Sequence, residues 1–222
     1  MTIRIVTDST CDLPVETIRE LGIAVMPLNI HIGDKAYLDG VDLSREEFYR
    51  QLPDLNPFPK TASPNPHALQ QLYQRLADEG ATEILSIHIA ESLSATVNDA
   101  RVAAKQFSRF PVYVLDSTQL SLGTGFLVEK AAQLAASGNS MSQIVAALTG
   151  QMQRSYVFAA LKTLEYLRRS GRMNSAVAHI GEFLKIKPLL HMHMGKARRS
   201  ARPHAKKCHR ATAGLVGAIR SV

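Results

Sequence analysis

The sequence predicts an α/β fold: a mostly parallel sheet with helices on both faces, followed by a second, smaller α/β unit. Two patterns point to it. Short apolar runs (IRIVTD, TEILSIHIA, PVYVLDS) alternate with longer segments whose apolar residues recur at helical spacing. Glycine stops and polar turns punctuate these segments. Near Ser155 the rhythm changes, so residues 1–154 are expected to form one domain and residues 155–222 part of another.

The elements follow in order. IRIVTD reads as a buried strand, and Pro14 marks the first position of a helix, VETIRE, that stops at Gly22. IAVMPLNIHI and KAYLDG read as extended segments around the Gly33–Asp34 turn. Ser44 stands three residues before Glu47, the spacing of a capping box, and opens a short helix, SREEFYRQL. Residues 53–66 hold five of the ten prolines and so form neither regular helix nor central strand. An ordered loop is expected there, since the helical HALQQLYQRLADEG follows at once. TEILSIHIA is a strand and VNDARVAAKQF a helix. PVYVLDS is a strand, followed by a small-residue turn and the helix FLVEKAAQLAASG. SMSQIVAALTGQMQRS adds one more helix. Beyond it come a strand in YVFAALK, a short helix ending in a basic glycine turn, and then IGEFLKIKPLLHMHMG, a helix and a strand.

Composition narrows the function classes. No run approaches the roughly 18 apolar residues that span a bilayer, and the N-terminus lacks the apolar stretch of a secretory signal. A cytoplasmic protein without membrane insertion is therefore expected. Cys11 and Cys208 have neither the spacing of a disulfide framework nor that of a zinc site. The net charge of +7 lies in the tail: eight Lys and Arg follow His193 with no acidic residue, leaving 18 basic against 19 acidic residues before it. Aromatic residues that could stack on bases are absent from that tail, so no nucleic-acid partner is expected.

Three polar turns follow strand ends, at residues 7–10 (T-D-S-T), 92–96 (S-L-S-A-T) and 116–125 (D-S-T-Q-L-S-L-G-T-G). In a parallel sheet these turns share the carboxyl edge, where hydroxyls and amides can together hold an anionic group. Asp8, Ser9, Asp116 and Ser117 are the polar candidates in the first and third turns. No paired histidine or nucleophile motif accompanies the aspartates, and no phosphate-loop motif exists. Gly123 and Gly125 lack the third glycine of a dinucleotide fingerprint and read as helix-packing glycines. His191 and His193 alternate on a strand without a third ligand, so no metal is expected. His31 and His88 sit in apolar runs and read as core histidines, while Met26, Met152, Met192 and Met194 read as packing residues.

T-D-S-T-C-D-L-P at 7–14, T-A-S-P-N-P at 61–66, L-S-A-T at 93–96, G-T-G at 123–125, L-R-R-S-G-R-M at 167–173 and K-P-L-L at 187–190 together resemble the DegV family, the bacterial fatty-acid-binding proteins. The resemblance implies a non-enzymatic carrier with a long-chain fatty acid as its ligand and no cofactor. By position, Thr61 and Ser94 would hold the carboxylate, with Ser63 and Thr96 beside them and Asp8, Ser9, Asp116 and Ser117 supporting the loops. Arg172, with Arg168 and Arg169, would face a separate fatty acid kinase. The family's T-S-Q-P-S reads T-A-S-P-N here, and its S-G-T reads Ser94-Ala95-Thr96. Family chains also run longer and carry a further histidine resembling a third carboxylate contact. The basic segment 196–222 looks like a truncated or frameshifted end, which would leave the second domain incomplete.

Two other readings compete. One is a hydrolase or transferase acting on a small anionic metabolite in the inter-domain cleft through Asp8, Ser9 and Asp116 with a divalent metal. The other is a nucleic-acid-binding protein using the basic tail, which predicts steeply salt-dependent binding.

Overall fold

The computed structural model describes residues 2–172 and 189–199. Its centre is a four-stranded sheet, all parallel, built from β1 (Ile3–Asp8), β2 (Ala24–Met26), β6 (Glu83–His88) and β7 (Val112–Asp116) in the order β2-β1-β6-β7. Successive residues of a strand point to opposite faces, and the core divides accordingly. Ile5 of β1 with Leu85 and Ile87 of β6 packs against α5 (Leu122–Ala136) and α6 (Met141–Met152). Val6 and Ile84 face the other way, against α3 (Pro66–Asp78) and α4 (Thr96–Gln106). The expected α/β architecture, with helices on both faces, is present.

Local signals place the helix starts. Asn65 caps α3, its side chain accepting from the His67 amide, and Pro66 takes the first turn where no backbone donor is needed. Ser44 accepts the Glu47 amide at the head of α2 (Arg45–Gln51). Ser140 and Gln143 form a reciprocal capping box on α6. Pro14 stands one position earlier than expected, as the residue preceding α1 (Val15–Glu20).

Two small antiparallel sheets flank the central one. β3 (Asn29–Ile32) pairs with β4 (Lys35–Leu38) on one side and β5 (Lys60–Ala62) on the other. The proline-rich stretch thus contains a three-residue edge strand where only loop was expected; Lys60, Thr61 and Ala62 pair while the prolines lie outside them. β8 (Val157–Ala160), β9 (Leu189–His193) and β10 (Lys196–Arg199) form the other sheet, in the order β10-β9-β8. The first residues of the basic tail, Lys196–Arg199, pair with β9. The helix expected in IGEFLKIK, residues Cys208, Arg202, Lys206, Lys207, Arg210 and Arg220, and the proposed frameshifted end lie outside the described residues.

α5 begins at Leu122, earlier than its apolar pattern suggested, and takes in the Gly-Thr-Gly segment. A Cβ at Gly125 would stand 2.4 Å from the Cys11 carbonyl oxygen, and one at Gly123 2.5 Å from Cγ2 of Val157. Both glycines let the helix approach its neighbours closely, as their packing role requires. His88 is fully buried, whereas His31 lies exposed on β3 because its strand position faces away from the core. Met26, Met152 and Met192 are buried, but Met194, in the turn after β9, is exposed.

Candidate functional site

β1 and β6 are adjacent, yet the chain leaves β1 toward β2 and leaves β6 toward β7, on opposite sides. At such a switch point the connections diverge and leave a crevice at the carboxyl edge. The three polar turns do meet there. Thr10 from the first, Ser94 from the second and Leu120 from the third all line one cavity of 470 Å³. Its far wall comes from β8, β9 and β10 through Val157, Ala159, Leu190, Met192 and Ala197, and Leu28 and Ile30 close another side. The lining is dominated by aliphatic and aromatic side chains, as expected of a site for a largely apolar ligand.

Two of the expected head-group hydroxyls enter this wall. Thr61 is paired with Ile30 in the β3–β5 register, and partners across an antiparallel pair point to one face, so both reach the cavity. Ser94 stands just before α4, with its Oγ 2.8 Å from Oγ1 of the buried Thr96. Thr96 therefore orients Ser94. Ser63 does not line the cavity; its carbonyl accepts from Asn29 Nδ2 at 3.4 Å.

The remaining expected polar residues hold loops. Ser9 Oγ accepts from the Leu28 amide at 3.1 Å, and Asp116 accepts from the Thr118 amide at 2.8 Å. Ser117 is buried, with its Oγ 2.9 Å from Thr124 Oγ1. Asp8 is more deeply engaged. One of its oxygens accepts from the amide and hydroxyl of Thr10, and the other meets Nδ1 of His88 at 3.0 Å and the Ile89 amide at 3.1 Å. His88 Nε2 continues to Ser86 Oγ at 2.7 Å, and Ser86 to the Tyr73 hydroxyl at 2.9 Å.

The expectation that no histidine accompanies the aspartates is thus overturned. His88 lies 80 positions from Asp8, and the β1–β6 register brings them together. Burial alone would raise the Asp8 carboxyl, but hydrogen bonds from His88, Thr10 and Ile89 outweigh it and hold it below the usual carboxylate range. Burial pushes the Tyr73 hydroxyl up to about 12, so it stays protonated at neutral pH. Asp8, His88 and Ser86 have the connectivity of a nucleophilic triad. All three are 0% exposed, however, and no substrate can reach the Ser86 hydroxyl.

Charged residues border the cavity as well, and sequence reasoning missed most of them. Arg45, at the start of α2, binds Asp12 and the Ser9 carbonyl and lies 3.6 Å from Asp39. Burial works against its charge, but Asp12 and Asp39 more than restore it. Nothing in the local pattern around Arg45 marks it, because its partners belong to other segments. Arg172, expected on a partner surface, lines the cavity and donates from Nε to the Leu93 carbonyl at 3.1 Å. Arg168 and Arg169 are exposed, and the Arg169 guanidinium lies 4.6 Å from the centre of the Phe58 ring. Met173 of the same motif, and Lys187 and Pro188 of K-P-L-L, lie outside the described residues. Among the described residues no cluster of His, Cys, Asp and Glu could hold a metal ion, and no helix is long and apolar enough to cross a membrane.

The family model described as "Uncharacterised protein, DegV family" matches residues 2–216. The chain belongs to the DegV family. A DegV domain-containing protein of Deinococcus radiodurans is 37% identical over 220 residues, which cover 99% of this chain and 77% of the relative. A solved DegV family structure from Thermus thermophilus, titled for its fatty acid binding, superposes with a TM-score of 0.88 at 34% identity. It is matched over 100% of this chain and 78% of its own. DegV of Bacillus subtilis, described as a fatty acid binding protein, has the same TM-score at 29% identity and the same coverage.

Proposed function

We propose that this chain is a cytoplasmic fatty-acid-binding carrier. In this reading the acyl chain lies in the apolar cavity, with its carboxylate held by the Thr61 and Ser94 hydroxyls. The observation that carries it is that those two hydroxyl residues, one on β5 and one in the turn before α4, line the same mostly apolar cavity. The fatty acid binding of the Thermus and Bacillus relatives supports it. Each buried methylene contributes roughly 0.8 kcal/mol, so a long chain binds tightly without any catalytic group, and the hydroxyls only orient the head. A carrier rather than an enzyme is also supported by the sealed position of Ser86, the best-organised hydroxyl near a histidine.

The division at residues 154 and 155 goes with this reading, since the cavity would lie between the two units. It is supported by the start of a separate sheet at Val157. A fatty acid kinase would meet the surface near Arg168 and Arg169, with Arg172 between that surface and the bound carboxylate.

Mass spectrometry of an organic extract, followed by titration with palmitate, tests the proposal. A stoichiometric fatty acid is expected, and affinity should fall about tenfold or more in Thr61→Val and Ser94→Ala, which each remove a hydrogen bond to a charged group. Absence of lipid together with absence of palmitate binding would refute it.

A further inference from the structure

Ser94 sits on neither strand nor helix, so something must hold the turn that carries it. Its amide and that of Leu93 donate to the Ala90 carbonyl, and the Ala90 amide donates to Gln119. The turn is anchored one residue earlier, where the Ile89 amide meets Asp8. The Asp8 carboxylate is shared between two loops. One oxygen holds Thr10, in the loop after β1, and the other holds Ile89, in the loop after β6. Thr10, Ile89 and Ser94 all line the cavity. We infer that His88, buried between Asp8 and Ser86, is a positioning residue for the carboxylate site: it fixes the rotation of Asp8, and through it the turn bearing Ser94.

The inference rests on reading Ser94 as a carboxylate ligand. Its chemistry is specific. Nδ1 faces a carboxylate and must carry a proton; in the neutral tautomer that this selects, Nε2 accepts from Ser86, whose oxygen can then accept from Tyr73. With a neutral imidazole, each of these contacts therefore has one donor and one acceptor. Packing alone does not call for such a chain, because apolar side chains of similar shape fill a core at equal or lower free energy. The network also ends at the switch point, on the two loops that reach the cavity, and not at a random place in the core.

Binding of palmitate and of its methyl ester to the full chain separates positioning from packing. Wild-type protein should prefer the acid. His88→Leu should lose about tenfold or more in affinity for the acid, the equivalent of roughly 1.4 kcal/mol, with ester binding nearly unchanged. His88→Asn, whose amide can donate to Asp8 from near the Nδ1 position, should recover most of the loss. Retention of the acid preference in His88→Leu, equal loss of acid and ester, or absence of rescue would each overturn the inference. A wild type that binds acid and ester alike would instead remove the head-group reading, and the inference with it. Should His88→Leu not fold, the imidazole ¹⁵N spectrum of the wild type decides: a ring protonated on Nδ1 is expected, and a ring protonated on Nε2 alone overturns the proposal.

Discussion

Tyr73→Phe removes one oxygen from the buried network and leaves the ring in place, edge-on to Phe107 with centroids 6.1 Å apart. At neutral pH the variant loses the hydrogen bond to Ser86, a cost of about 1 kcal/mol. Alkaline pH reverses the comparison. Burial raises the Tyr73 hydroxyl from 10.0 to about 12 in the folded protein, so its contribution is complete below the unfolded value and is lost as pH rises toward the folded one. Two pKa units correspond to about 2.7 kcal/mol, of which roughly half is gone by about pH 11. The wild type should therefore begin as the more stable protein, meet Tyr73→Phe near pH 11 and fall below it by about pH 12. Urea unfolding of both proteins at closely spaced pH values from about 8 to 12 measures the gap directly, because other titrating groups cancel in the difference. A gap that stays constant across that range would refute the buried, protonated hydroxyl.

Two further outcomes follow from packing and charge. Gly125→Ala should destabilise by roughly 1–3 kcal/mol, since its methyl would meet the Cys11 carbonyl. Gly150→Ala, with its nearest neighbour 3.6 Å away, should stabilise by up to about 1 kcal/mol through helix propensity, and thermal melts that move both variants the same way would contradict this. Arg45→Met should change global stability by no more than about 1 kcal/mol, as half-exposed ion pairs do. Because α2 buries none of its residues, its amides should nevertheless exchange faster once that tie is cut. Unchanged hydrogen exchange over residues 45–51 would mean that Arg45 does not secure the helix.

The amino-acid sequence by itself determined the α/β class, most element positions and the helix start at Ser44, because periodicity and capping act over a few residues. It also marked the three polar turns and, through the family resemblance, Thr61 and Ser94. Only the tertiary structure decided that Asp8 meets His88, that Arg45 answers Asp12 and Asp39, and that Arg172 reaches Leu93. These contacts depend on which strand lies beside which and in what register, and no local pattern encodes that choice. The same reason explains His31: its neighbours in sequence are apolar like those of His88, but its strand turns that side chain outward, and only the assembled sheet says which face is the core.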